Sequence, residues 1–122
     1  VPVPQATRAW ARRGFSPAVD LARAAASHLD TPVVHAIERV HGAPAQVGLT
    51  AGERRRNVAR LFRVAAGSKK RLHGCRVLLV DDVATTTSTA AACAAVLREA
   101  GAASAVVATL ARARGEPCTR PA

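Results

Sequence analysis

Aromatic side chains are scarce in this sequence of 122 residues. Trp10, Phe15 and Phe62 are the whole set, and tyrosine is absent. Proteins that bind single-stranded nucleic acids commonly stack the bases on aromatic side chains. The composition therefore argues against recognition by base stacking.

Cysteines and long apolar runs are also few. Cys75, Cys93 and Cys118 form no Cys-x-x-Cys pair, so their spacing indicates neither a disulfide framework nor a zinc site. We expect Cys75 and Cys93 to be buried, reduced thiols. No run is apolar and long enough to cross a membrane, and no signal-peptide pattern is present. A cytoplasmic location is the expectation.

Acidic residues are scarce in the first part of the chain. Residues 1–74 contain 13 Lys/Arg and 4 Asp/Glu, whereas residues 75–122 contain 5 and 4. A solvated basic surface accounts for part of this excess. Concentrated positive charge also favours an anionic partner, such as a polyphosphate or a nucleic acid. Residues 8–71 are therefore a candidate region for contact with DNA.

The most informative stretch is residues 77–89. An apolar run at 77–80 predicts a buried strand that ends at Asp81 and Asp82. An alanine-rich segment then predicts a helix at 88–100. Residues with hydroxyl groups lie just before this helix and at its start: Thr85, Thr86, Thr87, Ser88 and Thr89.

These features together predict a site for a phosphorylated sugar. A helix start offers unpaired N–H groups and a positive dipole end to a phosphate. The hydroxyls add donors, and the carboxylates of Asp81 and Asp82 can accept hydrogen bonds from ribose hydroxyls. The alternative is an ordinary strand-to-helix turn in which Ser88 or Thr89 is the N-cap.

Alternation of strands and helices predicts the fold class. Further strands are expected at 1–4, 33–40 and 104–110. Helices are expected from Ser16 and Pro17 to Leu29, and from the capping-box pair Thr50 and Glu53 to about residue 61. Residues 67–74 are expected to form a basic loop.

Continuous apolar strands alternating with helices are typical of an α/β fold, a mostly parallel sheet with flanking helices. Ligands of such sheets bind at the carboxyl ends of the strands. If the strands at 1–4 and 77–80 are neighbours, Arg8, Arg12 and Arg13 lie near the acidic pair in one cleft.

Four segments resemble the C-terminal type I phosphoribosyltransferase-like domain of the ComF (competence protein F) family. They are Val-Pro-Val-Pro at 1–4, Arg-Arg-Gly-Phe-Ser-Pro-Ala at 12–18, Gln-Val-Gly-Leu-Thr-Ala-Gly-Glu-Arg-Arg-Arg-Asn-Val at 46–58, and the stretch at 77–89. The resemblance implies one phosphoribosyltransferase-like (Rossmann-like) domain at 1–112 and a disordered tail at 113–122. The N-terminal zinc module of the family has no counterpart, so we expect a fragment or a short form that lacks it.

Thr87 is the main departure from the family pattern. The family usually has glycine there, and a positive φ at a β-branched residue would be strained. We therefore expect either strain in this loop or weakened phosphate binding. A second departure is Ser16-Pro17, where the family commonly has Asn-Gln.

The resemblance implies a phosphoribosyl pyrophosphate ligand with Mg²⁺. Asp81 and Asp82 would be the catalytic carboxylates and would hold the ribose. Mg²⁺ would be bound by oxygens of the substrate together with Asp81 or Asp82. Residues 85–89 would surround the 5′-phosphate. The arginines would act on the pyrophosphate side, with Arg8, Arg12 and Arg13 in its loop and Arg54, Arg55 and Arg56 near a covering segment.

Two functions remain open at this point. One is binding of a phosphoribosyl compound, with or without transfer of the phosphoribosyl group. The other is a non-catalytic role in competence and DNA uptake through the basic surface. The sequence names no acceptor base, and the oligomeric state is open, with a homodimer as one option.

Overall fold

The structure is a computed structural model, and it describes residues 1–5, 14–40, 50, 52–53, 57, 60–84 and 87–112. The elements in chain order are α1 (Pro17–His28), β1 (Ile37–Arg39), β2 (Phe62–Val64), α2 (Lys69–Leu72), β3 (Arg76–Ala84), α3 (Thr87–Glu99) and β4 (Ser104–Arg112). The predicted α/β class with flanking helices is confirmed, but the described residues form two two-stranded sheets, one parallel and one antiparallel, in place of one mostly parallel sheet. The phosphoribosyltransferase-like core stays a prediction.

The parallel part of the structure is built around β3. β4 runs parallel to it, with Arg76 opposite Ser104 and Ala84 opposite Arg112. The start of the chain lies along the other edge of β3. The Val3 N–H donates to the Val80 carbonyl at 2.8 Å, and the Val80 N–H donates to the Val1 carbonyl at 2.9 Å. Residues 1–3 therefore lie beside β3 through a single parallel bridge between Pro2 and Val80, in place of the strand expected at 1–4. The neighbourhood on which the predicted cleft depends is met, and both segments end at the same edge.

Helices cover the two faces of β3. Cys93 and Leu97 of α3 are fully buried in one cluster with Val77 and Leu79. Side chains alternate along a strand, so Leu78 points to the opposite face. α1 contacts β3 as well, but its buried residues are absent from that cluster, which places α1 on the second face. Those residues are the small side chains Ala18, Ala22 and Ala26.

β1 and β2 form a separate antiparallel pair, in which Ile37 lies opposite Val64 and Arg39 opposite Phe62. The strand expected at 33–40 is therefore shorter than predicted, and β2 was not predicted. α2 occupies part of the expected basic loop at 67–74. Strands of three residues are too short for the alternation of apolar and polar residues to reveal them.

The capping box at Thr50 is confirmed. The Thr50 N–H donates to Glu53 Oε2 at 2.8 Å, and the Glu53 N–H donates to Thr50 Oγ1 at 3.3 Å. The Thr50 hydroxyl also donates to Glu53 Oε2 at 2.7 Å, and this bond, followed by the one from the Thr50 N–H, lowers the pKa of Glu53. Residues 52, 53 and 57 are helical, and the other residues of this predicted helix up to 59 lie outside the described ones.

Leu29 and Cys75 are both exposed. Leu29 follows the last residue of α1 and is 60% exposed. Cys75 lies between α2 and β3, and its Sγ donates to the Arg71 carbonyl at 3.1 Å. The prediction of a buried thiol is wrong for Cys75 and correct for Cys93.

Candidate functional site

The acidic pair lies inside β3. Asp81 is paired with Thr109 of β4, and the ladder continues to Ala84. The expectation that the strand ends at residue 80 is therefore wrong, because backbone pairing with β4 continues past the apolar run. Both carboxylates are only partly buried. They lie at the carboxyl end of β3, a few residues before α3.

The environment of Asp81 disfavours its charge. Burial is the main cause that raises the pKa of its carboxyl group, and the Asp82 carboxylate adds to this effect. A hydrogen bond that the Asp82 N–H donates to Asp81 Oδ1, 3.0 Å long, lowers the pKa of Asp81 and so opposes this rise. Among the described residues neither carboxylate forms an ion pair. Hydroxyl donors or a cation from a ligand would therefore stabilise the charged form.

Arg39 of β1 and Asp81 of β3 both act on the buried thiol of Cys93 in α3. Burial, followed by the nearby charge of Asp81, raises the pKa of the Cys93 thiol to about 12, while the charge of Arg39 opposes the rise. Asp81 and Arg39 therefore both act on the α3 side of the sheet. The Arg39 guanidinium lies 5.6 Å from the centroid of the Phe62 ring, an arrangement that holds a cation by its attraction to the ring.

Arg39 is not among the residues predicted for the site. Its position near Cys93 depends on β1 lying beside α3, and no local sequence pattern reveals that contact.

The first turn of α3 follows the acidic pair along the chain and carries hydroxyl groups. Ser88 and Thr89 are partly exposed, and the first turn carries no acidic side chain. Thr87 is the first helical residue. Asp30, with φ of 47°, is the one non-glycine residue with positive φ in the described part of the chain. The expected strain at Thr87 is therefore not found, because a helical backbone accommodates threonine.

A second polar position, Gln5, follows residues 1–3, the segment that pairs with β3 and is called the 1–3 segment below. The Oε1 atom of Gln5 is buried and has no hydrogen-bond partner among the described residues. Gln5, Ser16 and His35 line a cavity of about 360 Å³. Ser16 is the N-cap residue of α1, yet its hydroxyl makes no capping hydrogen bond.

The position of Gln5 could have been found from the sequence. Gln5 directly follows the apolar residues of the Val-Pro-Val-Pro-Gln segment, as Asp81 directly follows the apolar run at 77–80, and ligands of such sheets bind where the strands end.

Of the predicted site residues, the structure describes Asp81 and Asp82 on β3 and Thr87, Ser88 and Thr89 in the first turn of α3, the next element along the chain. Several others lie outside the described residues: Arg8, Arg12, Arg13, Arg54, Arg55, Arg56, Thr85 and Thr86. No group of three or more His, Cys, Asp or Glu among the described residues could hold a metal ion. In the same part of the chain, no helix has the length and apolar character to cross a membrane.

The fold and the site together define an α/β protein in which a parallel strand carries an acidic pair towards a hydroxyl-rich helix start. The chain is 40% identical over 115 residues to competence protein F of Haemophilus influenzae, a match that covers 93% of this chain and 49% of that protein. We therefore assign the chain to the ComF family, and the predicted resemblance is confirmed. The chain spans about half the length of this curated relative. No protein-family profile and no solved structure matches it.

Proposed function

We propose that the chain binds a 5-phosphoribosyl compound at the edge where the 1–3 segment and β3 end. The supporting observation is the placement of Asp81 and Asp82 towards the carboxyl end of a parallel strand, a few residues before the first turn of α3. The carboxylates would accept hydrogen bonds from the ribose hydroxyls. The first turn of α3 would receive the 5′-phosphate through its N–H groups and the hydroxyls of Ser88 and Thr89.

The pyrophosphate side of this proposal rests on chain connectivity. Residue 5 lies at the same edge as the acidic pair, and the chain proceeds from there towards Arg8, Arg12 and Arg13. Arginine binds pyrophosphate oxygens in a bidentate manner. If the protein transfers the phosphoribosyl group, these guanidinium groups would stabilise the charge that develops on the departing pyrophosphate.

The carboxylates of the site fit the requirements of Mg²⁺. This ion keeps several waters and takes one or two protein carboxylates together with phosphate oxygens of the substrate. Asp81 and Asp82 are oxygen donors in a partly exposed position, which leaves room for such waters. When bound, Mg²⁺ would help to neutralise the pyrophosphate.

Calorimetric titration with phosphoribosyl pyrophosphate, with and without Mg²⁺, tests the proposal. Asp82→Asn removes a charged acceptor, and the loss of such a hydrogen bond costs about 1.5–3 kcal/mol, or roughly 10- to 150-fold in affinity. Asp30→Asn is the matched control, because Asn also accepts the positive φ found there. Equal affinities in the two variants would contradict the assignment.

A second experiment separates the pyrophosphate site from general charge. Replacing Arg12 and Arg13 together by alanine should weaken phosphoribosyl pyrophosphate much more than ribose 5-phosphate. The control replaces Arg63 and Arg98, both exposed, and should affect the two ligands little. Equal weakening of both ligands by Arg12→Ala/Arg13→Ala would show that these arginines act only through net charge. Release of pyrophosphate in the presence of nucleobases would show whether transfer occurs.

A non-catalytic, competence-related role in contact with DNA is the second candidate. It is favoured by the name of the relative and by three successive exposed cations, Lys69, Lys70 and Arg71, which form no ion pair among the described residues. Binding through phosphate contacts would weaken steeply with salt. Lys69→Gln/Lys70→Gln should then reduce both duplex affinity and the salt slope, whereas Arg98→Gln should not. Affinity that is independent of salt would contradict this role.

A further inference from the structure

A second cavity lies at the opposite end of the parallel strands from the acidic pair. Its volume is about 710 Å³, within the range of roughly 300–1,000 Å³ that is typical of small-molecule sites. Arg76 and Leu78 of β3 and Val106 of β4 form one wall, and Leu29 and Val34 from the chain after α1 form another. The cavity is therefore separate from the proposed phosphoribosyl site.

The lining combines apolar side chains with unpaired cations. Leu29 and Val106 are 60% and 61% exposed, so they present apolar surface to whatever enters. Arg71 and Arg76 also line the cavity and form no ion pair in the described part of the chain. No acidic residue is found in the described lining. An apolar wall with two cations complements a molecule that has an apolar body and an acid group.

We infer that this cavity binds a small amphipathic anion, a carboxylate or phosphate carried on an apolar body. The acid group would pair with the guanidinium groups of Arg71 and Arg76. The body would lie against Leu29, Leu78 and Val106. This inference does not depend on the phosphoribosyl proposal, because the two sites share no residue.

The test uses three naphthalene probes of similar shape: 1-naphthyl phosphate, 1-naphthoate and neutral 1-naphthol. Calorimetry should show at least one anion binding about tenfold more tightly than the neutral compound, and the tighter anion identifies the acid group. Cys75 gives an independent readout, because its exposed thiol lines the cavity. In a Cys118→Ser background, the bound anion should slow alkylation of Cys75.

The variants locate the binding. Arg76→Gln should weaken the anion about tenfold, whereas Arg98→Gln, an exposed arginine on α3, should change it little. Val106→Asp should abolish binding, because the new carboxylate would pair with the arginines and repel the ligand. Asp82→Asn should leave the probe affinity unchanged. Equal binding of the three probes, equal effects of Arg76→Gln and Arg98→Gln, or loss of binding in Asp82→Asn would each overturn the inference.

Discussion

Truncation of Leu97 tests the packing that holds the candidate site. Leu97 is fully buried and lies between α3 and the face of β3 that carries Val77 and Leu79. Burial of a leucine side chain contributes about 1.5–3 kcal/mol. The cavity left by Leu97→Ala adds to this loss, so the free energy of unfolding should fall by about 2.7–5 kcal/mol. A domain of this size is commonly stable by about 5–15 kcal/mol, so the variant should still fold.

Leu29→Ala is the matched control, because the same atoms are removed from a side chain that is 60% exposed. Its free energy of unfolding should change by less than about 0.5 kcal/mol. Urea denaturation followed by circular dichroism measures both variants, and an unchanged m-value would show that the folded and unfolded states are otherwise the same. A loss below about 1 kcal/mol for Leu97→Ala, or equal losses in the two variants, would mean that α3 does not cover β3 as described.

Three further predictions concern single groups. Because the pKa of Asp81 is raised in the folded state, the free energy of unfolding should decrease as pH rises from the ordinary carboxyl pKa to the raised value. Urea denaturation at a series of pH values should show that Asp81→Asn removes this decrease. The same dependence of the free energy of unfolding on pH in the variant would contradict the prediction. Thr87→Gly should give no gain in affinity for ribose 5-phosphate and cost about 1 kcal/mol or less, because Thr87 is helical; a clear gain by calorimetry would restore the strain hypothesis. In a Cys118→Ser background, Ellman's reagent should modify the exposed Cys75 quickly and Cys93 only on unfolding. The reason is that burial raises the pKa of the Cys93 thiol to about 12. Rapid modification of two thiols in the folded protein would refute this prediction.

The sequence predicts the long, strongly patterned elements well. α3 matches the expected helix to within one residue at each end, and Gly101 has the positive φ of 99° expected just after a helix. α1 likewise begins at Pro17 as expected. Periodicity over three turns leaves little ambiguity in either case, because each turn repeats the same apolar face.

The sequence predicts less where contacts across the chain decide the structure. β2 and the short β1 are held by pairing with each other, and three residues give no periodic signal of their own. The extension of β3 through Asp81 depends on β4 as its partner. Arg39 comes close to Cys93 of α3 through tertiary packing alone. The acidic pair and its hydroxyl neighbours were predicted because they are adjacent along the chain.

Mapping of backbone amide chemical shifts during titration with phosphoribosyl pyrophosphate tests the central proposal most directly. If the ligand binds where the 1–3 segment and β3 end, the amide signals of Asp82, Ser88 and Thr89 should shift together and saturate with one dissociation constant. The amides of Arg71 and Arg76, at the opposite end of the strands, should shift little. Absence of any saturable shift, or shifts confined to Arg71 and Arg76, would contradict the proposed phosphoribosyl site.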